Sequence, residues 1–190
     1  MENKSDLRKK MLNIRNNMEK EDSSEKSAVI IEKLTALDIY EKARIVFVYM
    51  AFNNEVETMT LIKKMLQENK RVVIPYTDTV NTVIIPSELK NLEEDLVKSK
   101  FGYYEPAKDK ILPVKPEEFD LVVVPGVVFD KNLNRIGFGK GYYDRILCSL
   151  KDGAKAVAVA YDFQVLDEVP SEEHDIKMDM IITEKSVYTN

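Results

Sequence analysis

Short, continuous apolar runs alternate with amphipathic segments along the 190-residue chain. The clearest run covers residues 121–125 (Leu-Val-Val-Val-Pro), and another covers residues 155–161 (Lys-Ala-Val-Ala-Val-Ala-Tyr). A strand that is apolar at almost every position is buried on both faces, which is typical of parallel sheets covered by helices. The alternation therefore predicts an α/β fold with a mostly parallel sheet and helices on both faces.

The other predicted elements follow from the same periodicities. Helices are predicted at residues 4–18, from a capping box at 22–25 to residue 37, at 58–69 with Thr58 as N-cap, at 88–97 and at 142–150. Further strands are predicted at 45–51, at 71–75 and 82–86, each of these two ended by a proline, and at 180–183. Residues 126–141 are predicted to form a loop, and residues 1–190 a single domain.

The composition argues against several classes of protein. A net charge of −5 disfavours a general nucleic-acid binder, which usually has a basic excess. The longest apolar run, residues 45–52, is far shorter than the ~18–20 residues that span a bilayer, and the first residues lack a secretory core. One cysteine and one histidine rule out an intramolecular disulfide and a multi-cysteine zinc site. We therefore expect a cytoplasmic protein with no nucleic-acid or membrane partner.

Charge is distributed unevenly along the chain. Residues 1–20 and 131–145 are basic, whereas residues 162–175 contain acids and no Lys or Arg. The two basic segments could converge on an anionic small molecule, and solvated helix faces and loops are the alternative reading.

The segment after residue 125 carries the residues suited to phosphate chemistry. It contains three of the six glycines within five residues: Gly137, Gly139 and Gly141. Glycine permits positive φ and lets backbone N–H groups approach a ligand, and the start of a helix favours anions. Arg135 and Lys140 add positive charge, and Asp144 could hold Mg²⁺ against the phosphates. The pattern predicts a phosphate-binding loop.

Two familiar phosphate motifs match this segment less well. A Walker A loop needs Ser or Thr after Gly-Lys, whereas Gly141 follows Lys140. The dinucleotide fingerprint G-x-G-x-x-G begins at Gly137, but it has Tyr142 at its last position and lies too far from the preceding strand for a tight turn. A flexible loop without a ligand is a third reading, which accounts for neither the basic residues nor the two tyrosines.

The same segment resembles a known family. Residues 124–130 (Val-Pro-Gly-x-x-Phe-Asp) and 134–145 (Asn-Arg-x-Gly-x-Gly-Lys-Gly-Tyr-Tyr-Asp-Arg) resemble the signature of the 5-formyltetrahydrofolate cyclo-ligases, also called 5,10-methenyltetrahydrofolate synthetases. Shorter matches follow along the chain: Lys4 with Arg8, Tyr49 with residues 55–58, Gly102 with residues 105–106, and Pro170 with His174, Asp175 and Asp179. The resemblance implies the family's three-layer α/β/α sandwich with a mostly parallel central sheet.

The resemblance implies an ATP- and Mg²⁺-dependent ring closure of 5-formyltetrahydrofolate to 5,10-methenyltetrahydrofolate, with release of ADP and phosphate. A formyl oxygen is a poor leaving group, so ATP would phosphorylate it before N10 of the folate attacks the activated carbon. Such a reaction needs cations around the transferred group and two aligned substrates, and it needs no Ser-His-Asp array. The partners would be these two small molecules, and the chain would be a monomer or a weak homodimer.

The resemblance also assigns residues to the two substrates. ATP would be bound by Lys4, Arg8, Arg135, Gly137, Gly139, Lys140, Gly141, Tyr142 and Tyr143. The folate would be bound by Arg8, Met50, Glu55, Phe129, Phe138, Gly139, Lys140, Gly141 and Tyr142. The catalytic residues would be Arg135, Lys140 and Tyr142, and the Mg²⁺ ligands, direct or through water, Asp144 and Asp175. His174 would orient its loop and would not act as a base.

Plainer readings stay open on the residues alone. Lys4 and Arg8 could be ordinary surface bases, Phe129 a core aromatic and Asp175 an exposed acid. At position 138 some family members place an Arg and others an aromatic, so the contact expected of Phe138 is one of shape only. A non-enzymatic folate or nucleotide binder and a dinucleotide-dependent oxidoreductase are the alternative functions.

Overall fold

The apolar runs form inner strands of a seven-stranded sheet in this computed structural model, which describes residues 2–100, 102–172 and 175–189. In chain order the strands are β1 (Ile45–Val48), β2 (Arg71–Asp78), β3 (Val83–Leu89), β4 (Leu96–Lys98), β5 (Tyr104–Pro106), β6 (Leu121–Val124), β7 (Val128–Asp130), β8 (Arg135–Ile136), β9 (Lys155–Val159), β10 (Val165–Leu166), β11 (Met180–Ile182) and β12 (Val187–Thr189). The helices are α1 (Lys4–Asn16), α2 (Lys20–Thr35), α3 (Asp38–Lys42), α4 (Met59–Gln67) and α5 (Tyr142–Leu147). Short 3₁₀ turns lie at Lys108–Lys110, Pro116–Glu118 and Asp162–Gln164.

The large sheet has the strand order β12-β11-β9-β6-β1-β2-β3. Strands β11, β9, β6, β1 and β2 run parallel, and β12 and β3 pair antiparallel at the two edges. Every residue of β6 is buried, because α2, α3 and α4 pack on one face of the sheet and α5 packs on the other. The predicted α/β class with a mostly parallel central sheet is confirmed.

The segment predicted to be a loop contains the antiparallel hairpin of β7 and β8, which β10 extends to a three-stranded sheet. The buried Asp130 carboxylate stabilises the hairpin by accepting hydrogen bonds from the backbone N–H groups of Asn132, Asn134 and Val169. Strands of two or three residues are too short for periodicity to reveal. The apolar face of α1 packs on this hairpin, which brings the start of the chain beside the glycines that follow β8.

The prediction that prolines end two strands is wrong. Strand β2 continues through Pro75, β3 continues through Pro86, and the two prolines face each other in the ladder. The Pro86 carbonyl accepts a hydrogen bond from the Val114 N–H (2.9 Å), so the backbone groups of Pro86 point away from β2. This is a non-hydrogen-bonded pair of the antiparallel ladder, at which proline's missing N–H costs nothing.

Residues 88–97, predicted to be a helix, instead complete β3, turn and enter β4. The Asp95 carboxylate accepts hydrogen bonds from the N–H groups of Lys90 (2.9 Å) and Asn91 (2.7 Å). These bonds stabilise a turn between β3 and β4 in place of the predicted helix. The predicted capping box is also wrong, because α2 begins at Lys20.

The other helices lie close to their predicted positions. Thr58 is at the N-cap of α4, but its hydroxyl donates to the Tyr49 carbonyl (2.8 Å) and caps no helix N–H. Helix α1 ends at Asn16 and α5 at Leu147, both earlier than predicted. Across the described ranges, none of the helices is long and apolar enough to cross a membrane.

Candidate active site

A cleft of about 270 Å³ opens beyond the carboxyl ends of β1 and β6, where open α/β sheets bind ligands. Its walls come from the glycine-rich loop (residues 137–141), the turn after β1, strand β2 and helix α1. The predicted site residues that line it are Lys4, Arg8, Met50, Glu55, Arg135, Gly137, Phe138, Gly139, Lys140, Gly141, Tyr142, Tyr143 and Asp144. Segments far apart in sequence therefore meet at one cavity.

The glycine-rich loop connects β8 to α5 in a conformation that needs its glycines. Gly139 has a φ of +87° and Gly141 a φ of +63°, a region that other residues rarely adopt. A side chain at Gly137 would bring its Cβ to 2.7 Å from Nη1 of Arg135. Helix α5 has only six residues, so positive charge at the loop comes mainly from side chains.

Arg135 places a buried positive charge directly under this loop. Its side chain is 5% exposed, and Nη2 donates to Oδ1 of Asp144 at 2.7 Å. Nη1 donates to the Pro125 carbonyl (3.4 Å), and the guanidinium carbon lies 5.9 Å from the centre of the Tyr143 ring. Lys140, by contrast, is exposed in the same cleft. The two cations thus differ in burial, one being held rigidly and the other free to follow a ligand.

Helix α1 presents Lys4 and Arg8 to the cleft from one face, four residues apart. Nζ of Lys4 lies 2.7 Å from Oδ2 of Asp175 and 2.8 Å from Oε1 of Glu172. Burial lowers the pKa of Lys4, but the two carboxylates outweigh it and hold the pKa above its usual value. Nε of Arg8 donates to the Gly137 carbonyl (2.7 Å), which ties α1 to the glycine-rich loop.

Glu55, in the turn after β1, is a buried carboxylate facing the cleft. Its Oε2 accepts a hydrogen bond from the Phe52 N–H (3.3 Å), and its Oε1 lies 3.9 Å from Nη2 of Arg15. Burial raises the pKa of Glu55 to about 7, against the opposing effects of the Arg15 charge and the Phe52 N–H. The group therefore changes charge near neutral pH.

Phe129 does not reach the cleft, which corrects the prediction that it contacts the folate. Its side chain is fully buried in the core beneath α5. A Cβ added to Gly126 would lie 2.3 Å from Cζ of Phe129, so the ring fills the space that this glycine leaves. Met50 is buried and lines the cleft, and Phe138 lines it while 45% exposed.

Two aromatic residues that sequence reasoning did not select complete the cleft wall. The Phe52 ring lies 5.9 Å from that of Phe138 and 5.4 Å from that of Tyr103. Tyr103 falls inside the matched segment 102–106, which could have identified it as a site residue, whereas no motif singled out Phe52. Arg15 was also missed, although a base four residues after Met11 on the apolar face of α1 is such a signal.

Asp144 and Asp175, the predicted Mg²⁺ ligands, are each bound to a cation of the site. Asp144 lines the cleft, and Asp175 reaches its rim through Lys4. Within residues 2–100, 102–172 and 175–189, no cluster of three or more His, Cys, Asp or Glu side chains could form a protein cage for a metal. Mg²⁺ commonly takes one or two carboxylates and completes its shell with phosphate and water, so this donor set fits Mg²⁺ bound together with ATP. His174 lies outside the described residues.

Comparisons with known proteins identify the family of this chain. The model of the 5-formyltetrahydrofolate cyclo-ligase family matches residues 1–184. The 5-formyltetrahydrofolate cyclo-ligase of Mus musculus is 29% identical over 174 residues, covering 87% of this chain and 86% of its own. The protein of the same name from Escherichia coli K12 is 30% identical over 156 residues, covering 77% of this chain and 81% of its own.

Solved structures show the same relationship. The 5,10-methenyltetrahydrofolate synthetase of Aquifex aeolicus superposes with a TM-score of 0.85 at 35% identity, over 98% of this chain and 92% of its own. The 5,10-methenyltetrahydrofolate synthetase of Mycoplasma pneumoniae has a TM-score of 0.78 at 26% identity, over 96% and 99% of the two chains. The chain belongs to the 5-formyltetrahydrofolate cyclo-ligase family.

Proposed function

We propose that this protein converts 5-formyltetrahydrofolate to 5,10-methenyltetrahydrofolate with ATP, releasing ADP and phosphate. The observation that carries the proposal is that a single cavity is lined by the glycine-rich loop and by Glu55 of the turn after β1. A transfer between two substrates requires that both lie in one site with their reacting atoms aligned. Family membership and the two structural neighbours support the same reaction.

The chemistry follows from the poor leaving group of a formyl amide. The formyl oxygen attacks the γ-phosphorus of ATP, so an O–P bond forms and ADP leaves. N10 of the folate then attacks the activated formyl carbon and loses its proton, and the C–O bond breaks with release of phosphate. Negative charge spreads over the transferred group in the first step, where fixed cations are most effective.

The cations of the cleft are suited to that step. We assign the triphosphate to Lys4, Arg8, Arg135, Lys140 and Tyr143 together with the backbone of the glycine-rich loop. Arg135 is held in place by its burial and by Asp144, so it needs little reorganisation when charge develops. Lys140 is exposed and can follow the γ-phosphoryl group as it moves. Tyr142, the first residue of α5, would contact the transferred group.

The opposite wall is suited to a folate. The Glu55 carboxylate can accept hydrogen bonds from the pterin, and Met50 offers an apolar contact. The aromatic wall of Phe52, Phe138 and Tyr103 offers a stacking surface for a flat ring.

Asp144 and Asp175 would hold Mg²⁺, which when bound neutralises part of the triphosphate charge. A single chain supplies every group named, so we propose a monomer or weak homodimer. We also propose that the protein acts in the cytoplasm.

One assay tests the proposal and its alternatives. The protein is mixed with MgATP and 5-formyltetrahydrofolate, and the near-UV absorbance of the methenyl product is followed together with ADP. We expect product and ADP in equal amounts, with no requirement for a nicotinamide cofactor. Binding of both ligands without turnover would indicate a non-enzymatic binder, and turnover that depends on a nicotinamide would indicate an oxidoreductase.

A further inference from the structure

Arg15 is a buried cation that contacts three segments of the cleft wall. Its side chain is 2% exposed. Nη1 donates to the Gly126 carbonyl at 3.3 Å, Nη2 lies 3.9 Å from Oε1 of Glu55, and the guanidinium carbon lies 5.7 Å from the centre of the Phe138 ring. Arg15 therefore joins the turn after β6, the turn after β1 and the glycine-rich loop.

The backbone of Arg15 holds the turn that carries Glu55. Nδ2 of Asn54 donates to the Arg15 carbonyl (3.0 Å) and to the Met18 carbonyl (3.2 Å). Asn53 and Asn54 both have positive φ, at 48° and 55°, so this turn is sharply bent. The geometry of this turn depends on the end of α1, and the position of Glu55 depends on the geometry of the turn.

Arg15 and Glu55 form an ion pair in which several buried donors and acceptors have no hydrogen bond within the described part of the chain. Nε and Nη2 of Arg15 and Oε1 of Glu55 are buried and have no hydrogen-bond partner among the described residues. A buried ion pair stabilises a fold only when its remaining donors and acceptors are satisfied, so this arrangement is poor as a purely structural device. Glu55 lines the cleft and its buried Oε1 is an acceptor without a hydrogen bond from any described residue, which points to a ligand.

We propose that Arg15 is a positioning residue for the folate, which holds the Glu55 carboxylate from behind as an acceptor for two adjacent N–H groups of the pterin ring. A carboxylate binds two parallel N–H donors well when its plane is fixed. Arg15 does not line the cleft and acts through Glu55. The inference rests on the proposed function, in which Glu55 binds the folate.

The electrostatics of Glu55 supply a readout for this role. Besides Arg15 of α1, the titratable groups around Glu55 include Tyr49 after β1, Tyr143 of α5 and Tyr161 after β9, together with Lys20 and Glu57 beside a second small cavity. The charged groups that line the same cleft as Glu55 are Lys4, Arg8, Arg135, Lys140 and Asp144. Burial raises the pKa of Tyr49 and of Tyr143, so both stay neutral at physiological pH. The Arg15 charge lowers the pKa of Glu55, so its loss must shift the titration of Glu55 to higher pH.

The test is the pH profile of 5-formyltetrahydrofolate binding in the absence of ATP, from about pH 6 to about pH 9.5. In the wild type we expect affinity to fall below about pH 7, as Glu55 takes up a proton. Arg15→Met should move the midpoint up by at least about one pH unit and weaken binding about ten-fold near pH 7.5, with a smaller loss near pH 9.5. Arg15→Lys keeps the charge and should place the midpoint between the two.

Two controls separate this role from a structural one. Met11→Ala removes apolar packing of α1 without touching Glu55, and its midpoint should equal that of the wild type. Glu55→Gln should bind weakly and without the pH dependence. If Arg15→Met does not fold, Arg15→Gln, which can still donate to the Gly126 carbonyl, takes its place with the same expected shift.

Failure of the inference is distinguishable from failure of the proposed function. An unchanged midpoint in the Arg15 variants, with weak binding by Glu55→Gln, would overturn the role of Arg15 alone. Normal affinity in Glu55→Gln would overturn the assignment of Glu55 to the folate, and the role of Arg15 with it.

Discussion

Arg135 and Asp144 bind each other beside the glycine-rich loop, with Nη2 of the arginine 2.7 Å from Oδ1 of the carboxylate. The arginine side chain is 5% exposed and the aspartate side chain 36%. This charge-assisted hydrogen bond orients both groups before a nucleotide binds. Lys4 and Asp175 form a similar pair at 2.7 Å, so each proposed metal ligand is held by a proposed phosphate-binding cation.

The first prediction concerns Asp144. Asp144→Asn keeps an oxygen that can accept from Arg135 but removes the negative charge suited to Mg²⁺. We expect kcat to fall by about 100-fold or more, whereas the free energy of unfolding falls by only about 1–2 kcal/mol. Turnover and urea denaturation of the same preparations measure the two effects. Full turnover, or a loss of stability large enough to explain the lost activity, would contradict the proposed role.

The second prediction concerns Lys140, which is exposed and supports no core contact. Lys140→Ala should lower kcat about 100-fold by removing a cation from the transferred phosphoryl group, while the Kd for 5-formyltetrahydrofolate stays within about two-fold. The control is Lys63→Ala on the exposed face of α4, which should leave kcat unchanged. If the two variants have equal turnover, the catalytic cation lies elsewhere.

The third prediction compares two glycines with nearly the same backbone conformation. Gly139 in the cleft and Gly153 in a surface turn have φ values of +87° and +86°. Each Gly→Ala change should cost about 1 kcal/mol of stability through backbone strain. Gly139→Ala should also raise the KM for ATP, because its backbone strain falls in the glycine-rich loop that lines the cleft, whereas Gly153 does not line it. An equal KM for ATP in both variants would show that the loop tolerates a side chain at 139.

The fourth prediction follows from the buried Glu55 carboxyl. Its pKa is about 7 in the folded protein against a usual value of 4.5, so its stabilising effect is complete below about pH 4.5 and is lost as the pH rises through about 7. Glu55→Gln cannot ionise, so its stability relative to that of the wild type should rise by about 2–3 kcal/mol when the pH is raised from about 5 to about 8. Denaturant unfolding of both proteins at the two pH values measures this. If the stability difference between Glu55→Gln and the wild type is the same at both pH values, Glu55 titrates normally.

The sequence by itself determined the features that depend on neighbours along the chain. The all-apolar run of β6 predicted a strand buried on both faces, and the spacing of Lys4 and Arg8 placed them on one face of α1. The glycines of residues 137–141 lie close together in sequence, so a phosphate-binding loop could be predicted from them directly. The family resemblance then associated Glu55 with the same site.

Only the tertiary structure decided what depends on chain segments that meet from a distance. It placed Phe129 in the core, because Gly126 leaves room for its ring, and it continued β2 and β3 through two prolines that need no ladder N–H. It also buried Arg15 against Glu55, forty residues further along the chain. Periodicity and turn chemistry are local, whereas the burial of a side chain and the partner of a charge are set by how the strands and helices pack.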